Sequence, residues 1–342
     1  MKVLITGGSG FLGVNLSSYL LDRNYKVRIL DISEPDECLK EKVEFVKGDV
    51  RDYEIVRKCV KGMDFVVHSA AALPLYSIKD IVSTNVEGTF NVLKASFEEG
   101  VKRVIFISST SVYGIPKKHP IVEEDDLDGV GPYGKSKIEA EKICLDFRKR
   151  GLCVPIIRPK TFVGPKRLGV FAIYFEWIKE GRNVPIIGNG RNLYQLLDVE
   201  DLCEAIHLCM TRPCEKVNRT FNIGAEKFGT MKEDFGFLLN LKGRGKIIPL
   251  PVFPTVWILK ILHLLRLSPL YPWVYETAHR ESYVSIEKAK KYLGFHPKYS
   301  NKETLLRSYK WYLKECKKLK KGISHRSAWK EGILKLVKIV LG

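Results

Sequence analysis

Tyr133 and Lys137 are the residues whose types and spacing point most directly to chemistry. They form a Tyr-x-x-x-Lys pair, and residues four apart share one face of a helix. An ammonium beside a phenol favours the phenolate and lowers the pKa of the phenol. The phenolate is then a general base that can take a proton from an alcohol. An isolated pair of this kind is more often a solvated helix face, so its context decides.

A glycine-rich turn near the N-terminus supplies that context. Residues 6–13 read Thr-Gly-Gly-Ser-Gly-Phe-Leu-Gly. A lone glycine triplet is often only a tight turn. Here an apolar run over 2–6 precedes the glycines, a helical pattern follows over 14–24, and a second apolar run ends in Asp31. Strand, glycine turn, helix, strand and acid is the order that a dinucleotide site requires.

The turn predicts how the cofactor is held. Gly7 allows the tight turn, Gly10 lets the backbone approach the pyrophosphate, and Gly13 lets the helix pack closely on the strand. Asp31 would accept hydrogen bonds from the adenosine ribose hydroxyls and repel a 2′-phosphate, and no Arg follows it closely. We therefore predict NAD rather than NADP. The cofactor residues predicted in this turn are Gly7, Gly10, Phe11, Leu12 and Gly13.

The chain resembles the extended short-chain dehydrogenases/reductases of the NAD-dependent epimerase/dehydratase family, from its start to about Tyr312. Matching motifs include Gly-Asp-Val-Arg-Asp at 48–52, Ser-Ser-Thr-Ser-Val-Tyr-Gly at 108–114 and Leu-Gly-Phe-His-Pro at 293–297. Further matches lie at 65–71, 85–89, 158–159, 164–165 and 197–202. The resemblance implies an α/β fold with a Rossmann-type doubly wound parallel sheet and a smaller α/β substrate-binding lobe.

The resemblance also implies roles for individual residues. Further cofactor contacts are implied for Asp49 and Val50 at the adenine, for the turn of Ser69, Ala70 and Ala71, and for Asn85. Tyr133 accepts the hydroxyl proton of the substrate. Lys137 lowers the pKa of Tyr133 and bonds the nicotinamide ribose. Ser109, four residues before Tyr113, hydrogen-bonds the reacting oxygen.

The domain organisation follows from length and periodicity. A chain of 342 residues is long for one domain. Apolar runs alternate with helical patterns through the first 160 residues, which favours a parallel sheet covered on both faces. We expect an NAD-binding domain over 1–160 with segments near 195–225 crossing back, and a substrate-binding lobe mainly over 161–315.

The resemblance narrows the reaction. A 4,6-dehydratase of this family carries an Asp-Glu pair directly after the catalytic hydroxyl residue, whereas this chain has Thr110 and Ser111. Dehydration is therefore disfavoured. Two outcomes remain open. The hydride returns to the other face of the keto intermediate, which is epimerisation, or the ketone leaves, which is net dehydrogenation.

The substrate lobe departs from the sugar-nucleotide pattern. Thr161 replaces the usual Asn, and Tyr194 and Tyr275 replace two usual Arg residues. The candidate replacements for these cations are Arg280, Arg191 and Lys166. The predicted substrate contacts are Ser111, Thr161, Arg191, Tyr194 and Arg280. A UDP-sugar 4-epimerase type of nucleotide-sugar enzyme is the first interpretation. The alternatives are a 3β-hydroxysteroid-dehydrogenase-like enzyme acting on a lipid or sterol alcohol, and a non-catalytic NAD-binding protein.

The charge distribution and the cysteine spacing argue against a nucleic-acid-binding, metal-binding or disulfide-bonded protein. The net charge of +18 is spread along the chain without a nucleic-acid motif, so anionic substrates, an anionic membrane surface or solubility explain it better. The eight cysteines include no Cys-x-x-Cys pair, and the first strand begins almost at Met1. We expect reduced thiols, no metal and a cytoplasmic protein. His68 is expected to be structural.

Two apolar segments lie outside the catalytic motifs. Residues 323–342 predict an amphipathic helix with a basic face, which fits contact with a membrane surface, or packing on the protein body or a second subunit. Residues 252–275 lack the unbroken apolar run of a transmembrane helix, and we interpret them as the apolar wall of the substrate pocket. A homodimer is expected, with the helix after Tyr133 as its candidate face.

Overall fold

The structure is a computed structural model that describes residues 1–265, 272–318 and 338. The amphipathic helix predicted at 323–342 lies outside these residues, apart from Lys338. By its internal contacts the chain divides into two units. The first comprises Met1–Lys160, Val199–Ile223 and Val284–His296. The second comprises Thr161–Asp198, Gly224–Tyr283 and the described residues from Pro297 onward.

Seven parallel strands form the sheet of the first unit, in the order β3-β2-β1-β4-β5-β6-β10. They are β1 (Lys2–Thr6), β2 (Lys26–Asp31), β3 (Glu44–Lys47), β4 (Phe65–His68), β5 (Arg103–Ile107), β6 (Ile156–Pro159) and β10 (Thr220–Ile223). Every residue of β4 and β5 is buried, because helices cover both faces. This strand order confirms the predicted doubly wound fold, whose topological switch point lies between β1 and β4.

The helices of the first unit are α1 (Phe11–Leu21), α2 (Tyr53–Val60), α3 (Ile78–Val82), α4 (Gly88–Glu98), α5 (Gly131–Lys149), α7 (Val199–Thr211), α8 (Cys214–Val217) and α12 (Glu287–Leu293). A π-helical segment, Ser83–Glu87, joins α3 to α4, and a 3-10 turn, Thr110–Tyr113, follows β5. Asp52 accepts the amide of Ile55 and so caps α2. The core is apolar, with Leu4, Val66, Val92 and Phe147 in one buried cluster.

The second unit contains two short parallel pairs of strands, β8 with β11 and β7 with β9. These are β7 (Phe162–Val163), β8 (Val184–Ile187), β9 (Leu197–Asp198) and β11 (Ile247–Leu250). The helices are α6 (Val170–Lys179), α9 (Met231–Lys242), α10 (Val252–Leu264), α11 (Pro272–Thr277) and α13 (Asn301–Glu315). Capping boxes begin α9 at Thr230 and α13 at Ser300. Phe175, Trp177 and Tyr309 lie in the core of this unit.

Helix α10 differs from the interpretation of residues 252–275 as the apolar wall of a pocket. Leu259 is its buried residue, whereas Phe253, Trp257, Ile258 and Ile261 are exposed. Those four side chains therefore enclose nothing, and the interpretation is wrong for them. Among the residues that the structure describes, no helix combines the length and apolar character needed to cross a membrane.

Candidate active site

The glycine turn lies between the carboxyl end of β1 and the start of α1. Gly7 has φ +71°, and a Cβ there would come within 2.7 Å of the Ala70 backbone. A Cβ at Gly13 would come within 2.4 Å of the Gly8 Cα. Gly10 is the N-cap residue of α1, and the N-terminus of a helix favours a negatively charged ligand. The turn can therefore hold a pyrophosphate.

Asp31 ends β2 beside this turn. Its carboxylate accepts the amide of Ser9 at 3.0 Å and the amide of Ser33 at 2.9 Å. The Ser9 hydroxyl donates to the Ser33 carbonyl at 2.7 Å and ties the two segments together. Each carboxylate oxygen therefore accepts a backbone amide, which fixes the orientation of the group. The structure thus fixes Asp31 where the predicted adenosine contact requires a rigid acceptor.

The other predicted cofactor residues follow strands β3 and β4. Arg51 holds the Asp49 carboxylate at 2.6 Å and keeps the pKa of Asp49 below its usual range. Val50 is buried. The Ser69 hydroxyl donates to the Thr6 carbonyl at 2.7 Å, which fixes the turn that continues through Ala70 and Ala71. All of these residues belong to the first unit, as do the glycine turn and Asp31.

Asn85 lies in the π-helical segment, and its buried side chain makes hydrogen bonds within the protein. The Oδ1 atom accepts the Ala72 amide at 2.8 Å. The Nδ2 atom donates to the Ala72 carbonyl at 3.3 Å and to the Ser136 hydroxyl at 3.0 Å. Both amide protons are therefore used. By these bonds Asn85 positions the loop after β4 against α5. Its amide protons are therefore not available to a ligand.

Lys137 lies on α5, one turn beyond Tyr133, and its ammonium meets the end of β5. The Nζ atom donates to the Ile107 carbonyl at 2.9 Å. It also lies 4.9 Å from the centroid of the Phe106 ring. Burial of Lys137 lowers its pKa to about 8. Tyr133 is half-buried on the same helix. Helix α5 thus presents the predicted Tyr-x-x-x-Lys pair at the carboxyl end of the sheet.

Ser109 follows β5 by two residues and caps the 3-10 turn. Its hydroxyl accepts the Ser111 amide at 3.1 Å. The Ser111 hydroxyl is buried and makes no hydrogen bond within the described residues. A Cβ at Gly134 would come within 2.9 Å of the Ser111 carbonyl oxygen. Glycine inside the Tyr-x-x-x-Lys pair therefore lets the start of α5 approach the segment of Ser109, a role that the sequence analysis missed.

A buried polar network supports this end of α5, and the sequence analysis missed it as well. Arg158, on β6, bonds the Glu141 carboxylate through its Nε and Nη2 atoms, the shortest contact being 2.5 Å. Ser108 donates to the same carboxylate at 2.5 Å, and Arg158 donates to the Tyr113 hydroxyl at 2.7 Å. The signal in the sequence was Glu141, four residues after Lys137 and therefore on the same helix face.

His68 is structural in its geometry. Its ring lies between the Thr6 hydroxyl, at 2.7 Å, and the Thr89 hydroxyl, at 3.0 Å. Burial lowers the pKa of His68 to about 3. The ring is therefore neutral at physiological pH and joins β1 to α4.

The second unit holds the other predicted substrate residues. Thr161 and Tyr194 both belong to this unit, and burial raises the pKa of Tyr194. Arg191 and Arg280 are exposed. The Asn192 side chain donates to the Arg280 carbonyl at 2.8 Å, so it joins the two segments that carry these arginines. The structure thus brings Arg191 and Arg280 onto neighbouring segments.

These residues together fit an NAD-dependent alcohol oxidation. The N-terminus of α1, the glycines without room for a Cβ and the fixed Asp31 carboxylate suit the pyrophosphate and ribose of NAD. The Tyr133 and Lys137 pair on α5 and the Ser109 hydroxyl after β5 suit proton transfer from an alcohol. The nicotinamide would accept the hydride.

Comparisons with known proteins agree with this arrangement. The model of the NAD-dependent epimerase/dehydratase family matches residues 3–224. The uncharacterized protein y4nG of Sinorhizobium fredii is 36% identical over 343 residues, 99% of this chain and 86% of that protein. The decarboxylating sterol-4-alpha-carboxylate 3-dehydrogenase of Mus musculus is 28% identical over 321 residues, 86% of each chain. The crystal structure of UDP-glucose 4-epimerase from Thermotoga maritima with UDP-glucose has a TM-score of 0.77 at 27% identity, covering 92% of this chain and all of that one.

Proposed function

Because the chain belongs to the NAD-dependent epimerase/dehydratase family, we propose that it removes a hydride from a secondary alcohol of a nucleotide sugar. The family makes it an enzyme of the extended short-chain dehydrogenase/reductase type with NAD as cofactor. The finer assignment is a UDP-sugar 4-epimerase type of reaction. Tyr133, Lys137 and Ser109 are the catalytic residues of this proposal.

One observation carries the proposal. The Lys137 ammonium donates to the Ile107 carbonyl at 2.9 Å, two residues before Ser109. This bond joins the helix of the predicted base to the strand of the predicted hydroxyl. The motifs of Ser109 and Tyr133 lie about 25 residues apart in sequence. Because their segments are joined, we infer that both residues act on one substrate atom, as proton transfer requires.

Each catalytic residue has a distinct task. Tyr133 would take the proton of the substrate hydroxyl, and NAD, when bound, would supply the acceptor for the hydride of the carbon that bears this hydroxyl. Lys137 supplies the positive charge that favours the phenolate of Tyr133. Ser109 donates a hydrogen bond to the oxygen that becomes a carbonyl, and so stabilises it. Return of the hydride to the opposite face of the ketone completes an epimerisation. Thr110 and Ser111 provide no acid and base for dehydration.

A sterol or lipid alcohol is the second candidate substrate. It is favoured by the similarity to the mouse sterol dehydrogenase and by Thr161 and Tyr194 at positions where sugar-nucleotide enzymes place polar ligands. Tyr275, which replaces an expected arginine, is buried. Net dehydrogenation would follow in that case, because the ketone leaves as the product.

Substitution of Tyr133 tests the chemistry. Tyr133→Phe removes the phenolic proton acceptor and keeps the ring, so hydride transfer should fall by at least roughly a hundredfold. Conversion of UDP-glucose to its 4-epimer measures turnover of the nucleotide sugar, and absorbance of the NADH formed measures oxidation of a sterol alcohol. Calorimetry should show NAD binding close to that of the unmodified protein. Tyr76→Phe, at an exposed tyrosine of the first unit, is the matched control. Near-normal turnover of Tyr133→Phe would assign the base to another residue.

Nucleoside diphosphates test the substrate class. A ligand that binds only the folded protein raises its apparent stability, by about 2.7 kcal/mol at a hundred times Kd. UDP should therefore raise the melting temperature, and Arg191→Gln together with Arg280→Gln should remove that rise. Reduction of NAD by a sterol alcohol with no shift from any nucleoside diphosphate would instead assign the lipid substrate.

We also propose two associations. The exposed Phe90 and Phe97 of α4 and Leu145 of α5 support a homodimer through these helices. Contact between the basic C-terminal segment, 323–342, and a membrane surface remains a proposal from the sequence.

A further inference from the structure

Helix α10 carries a stripe of large apolar side chains on its outer side. Phe253, Trp257, Ile261 and Leu264 are 75%, 58%, 47% and 82% exposed. Their spacing of three or four residues places them on one helix face. A surface helix normally turns such a stripe toward the core. A contiguous exposed apolar surface of this kind marks an interaction site.

The fold of the second unit does not use this stripe. Leu259, on the opposite side of α10, is the buried residue that packs the helix onto its unit. The helix is therefore apolar on both sides, and within the described part of the chain only the side of Leu259 is covered. The outer stripe is exposed and can take a partner.

The charges around α10 indicate the chemistry of that partner. Residues 241–275 contain no Asp or Glu, but they contain Lys242, Arg244, Lys246, Lys260 and Arg266. Lys242, Arg244 and Lys246 are exposed. The Lys260 ammonium lies 3.1 Å from the Glu276 carboxylate and is paired with it. Among the described residues, the unpaired positive charge of this segment therefore comes from the exposed Lys242, Arg244 and Lys246. Apolar side chains in a segment with an excess of positive charge match a surface that is apolar inside and anionic outside, as an acidic lipid bilayer is.

The dimensions of α10 fit the plane of such a surface. Thirteen residues make a helix about 20 Å long, too short to cross a bilayer. Trp257, in the middle of the stripe, is the side chain that prefers the boundary between headgroups and acyl chains. We propose that the outer face of α10 docks on an anionic membrane surface, with Phe253, Trp257 and Ile261 in the boundary layer.

Vesicle sedimentation of the full-length protein tests this surface. Phosphatidylcholine vesicles containing phosphatidylserine should bind it, and high salt should weaken binding because the charges are screened. Trp257→Glu with Ile261→Glu should reduce binding by at least roughly tenfold. Ile78→Glu, on α3 of the first unit and 65% exposed, is the matched control and should bind like the unmodified protein. Unchanged circular dichroism and NAD binding would show that the double variant is folded.

A second arm separates α10 from the C-terminal segment. A chain ending at Lys318 should still sediment with the anionic vesicles and should lose binding when the α10 substitutions are added. Binding by the double variant equal to that of the unmodified protein would overturn the proposal. So would failure of the unmodified protein to bind any vesicle. Self-association that the double variant abolishes, without vesicle binding, would identify a second copy of the chain as the partner and also overturn it.

Discussion

Lys137 holds a functional charge in surroundings that oppose charge. Its side chain is buried, and burial lowers its pKa to about 8. The Ile107 carbonyl, the Phe106 ring and the nearby Glu141 carboxylate favour the ammonium. The free protein thus keeps Lys137 charged near neutral pH and loses that charge at moderately alkaline pH. The burial of the Lys137 ammonium, which the proposed catalysis needs, therefore lowers the free energy of unfolding.

The stability of a Lys137→Met variant should reveal that cost through its pH dependence. Below pH 8 Lys137 is charged in the folded and unfolded states alike. Between about pH 8 and about pH 10.4 the unfolded chain binds the additional proton, so the unfolding free energy of the unmodified protein rises with pH. Relative to Lys137→Met, the unmodified protein should therefore gain stability as pH rises from 8 to 10. Urea unfolding at several pH values measures the difference.

Lys135→Met is the control for this experiment, because Lys135 is exposed on the same helix. Its stability difference from the unmodified protein should not change in that pH range. A pH-independent difference for Lys137→Met as well would show that Lys137 keeps its charge when buried.

The sequence was sufficient to nominate the site residues, but it was not sufficient to predict the hydrogen-bond partners of their side chains. Tyr133, Lys137 and Asp31 were predicted from spacing and order alone, because those signals are local. Asn85 was predicted as a cofactor contact, yet its amide bonds Ala72 and Ser136. Those partners are 13 and 51 residues away, so only the folded chain brings them to Asn85. The roles of its Oδ1 and Nδ2 atoms could not be predicted without them.

At the scale of elements, different glycines of the turn between β1 and α1 serve packing of the fold and approach of the ligand. A Cβ at Gly13 would meet the Gly8 Cα at 2.4 Å, which is backbone that cannot move aside cheaply. A Cβ at Gly10 would meet the Gly7 carbonyl oxygen at 3.1 Å, a tight contact that a shift of a few tenths of an ångström would relieve. Both glycines belong to one motif. The packing is nevertheless much closer at Gly13 than at Gly10.

Alanine substitutions at these glycines should therefore give different results. Gly13→Ala should destabilise the fold by about 1–3 kcal/mol, the usual cost of overpacking. Gly10→Ala should lower the melting temperature of the free protein less than Gly13→Ala does, but it should weaken NAD binding by at least roughly tenfold, because the added methyl group would crowd the pyrophosphate. Calorimetry and thermal unfolding measure both. Equal NAD affinity for Gly10→Ala and the unmodified protein would contradict this assignment.

Periodicity predicted most elements of the first unit, because buried parallel strands read as short apolar runs. It did not predict which side of α10 is buried. The helix is apolar all round, so its sequence cannot distinguish the side of Leu259 from the side of Trp257. The Arg158 and Glu141 pair was missed for a related reason. Its members lie 17 residues apart on β6 and α5, and only tertiary packing brings them together.

At the scale of the whole molecule, exposed apolar residues on α4 and α5 lead to a prediction about assembly. Phe90 and Phe97 contact the buried Phe147 ring edge to face, and both also remain partly exposed. Leu145 is exposed on the adjacent helix α5. Two helices with apolar side chains facing outward can form a four-helix bundle with a second copy of themselves.

Light scattering should therefore find a dimer for the unmodified protein. Phe97→Glu with Leu145→Glu should shift it to a monomer, because four buried carboxylates per interface would lack partners. Leu313→Glu, exposed to a similar extent on α13 of the second unit, is the control and should stay dimeric. The α10 variant should also remain dimeric, since its stripe is proposed for lipid. A monomeric unmodified protein, or a dimer that survives Phe97→Glu with Leu145→Glu, would place the assembly face elsewhere.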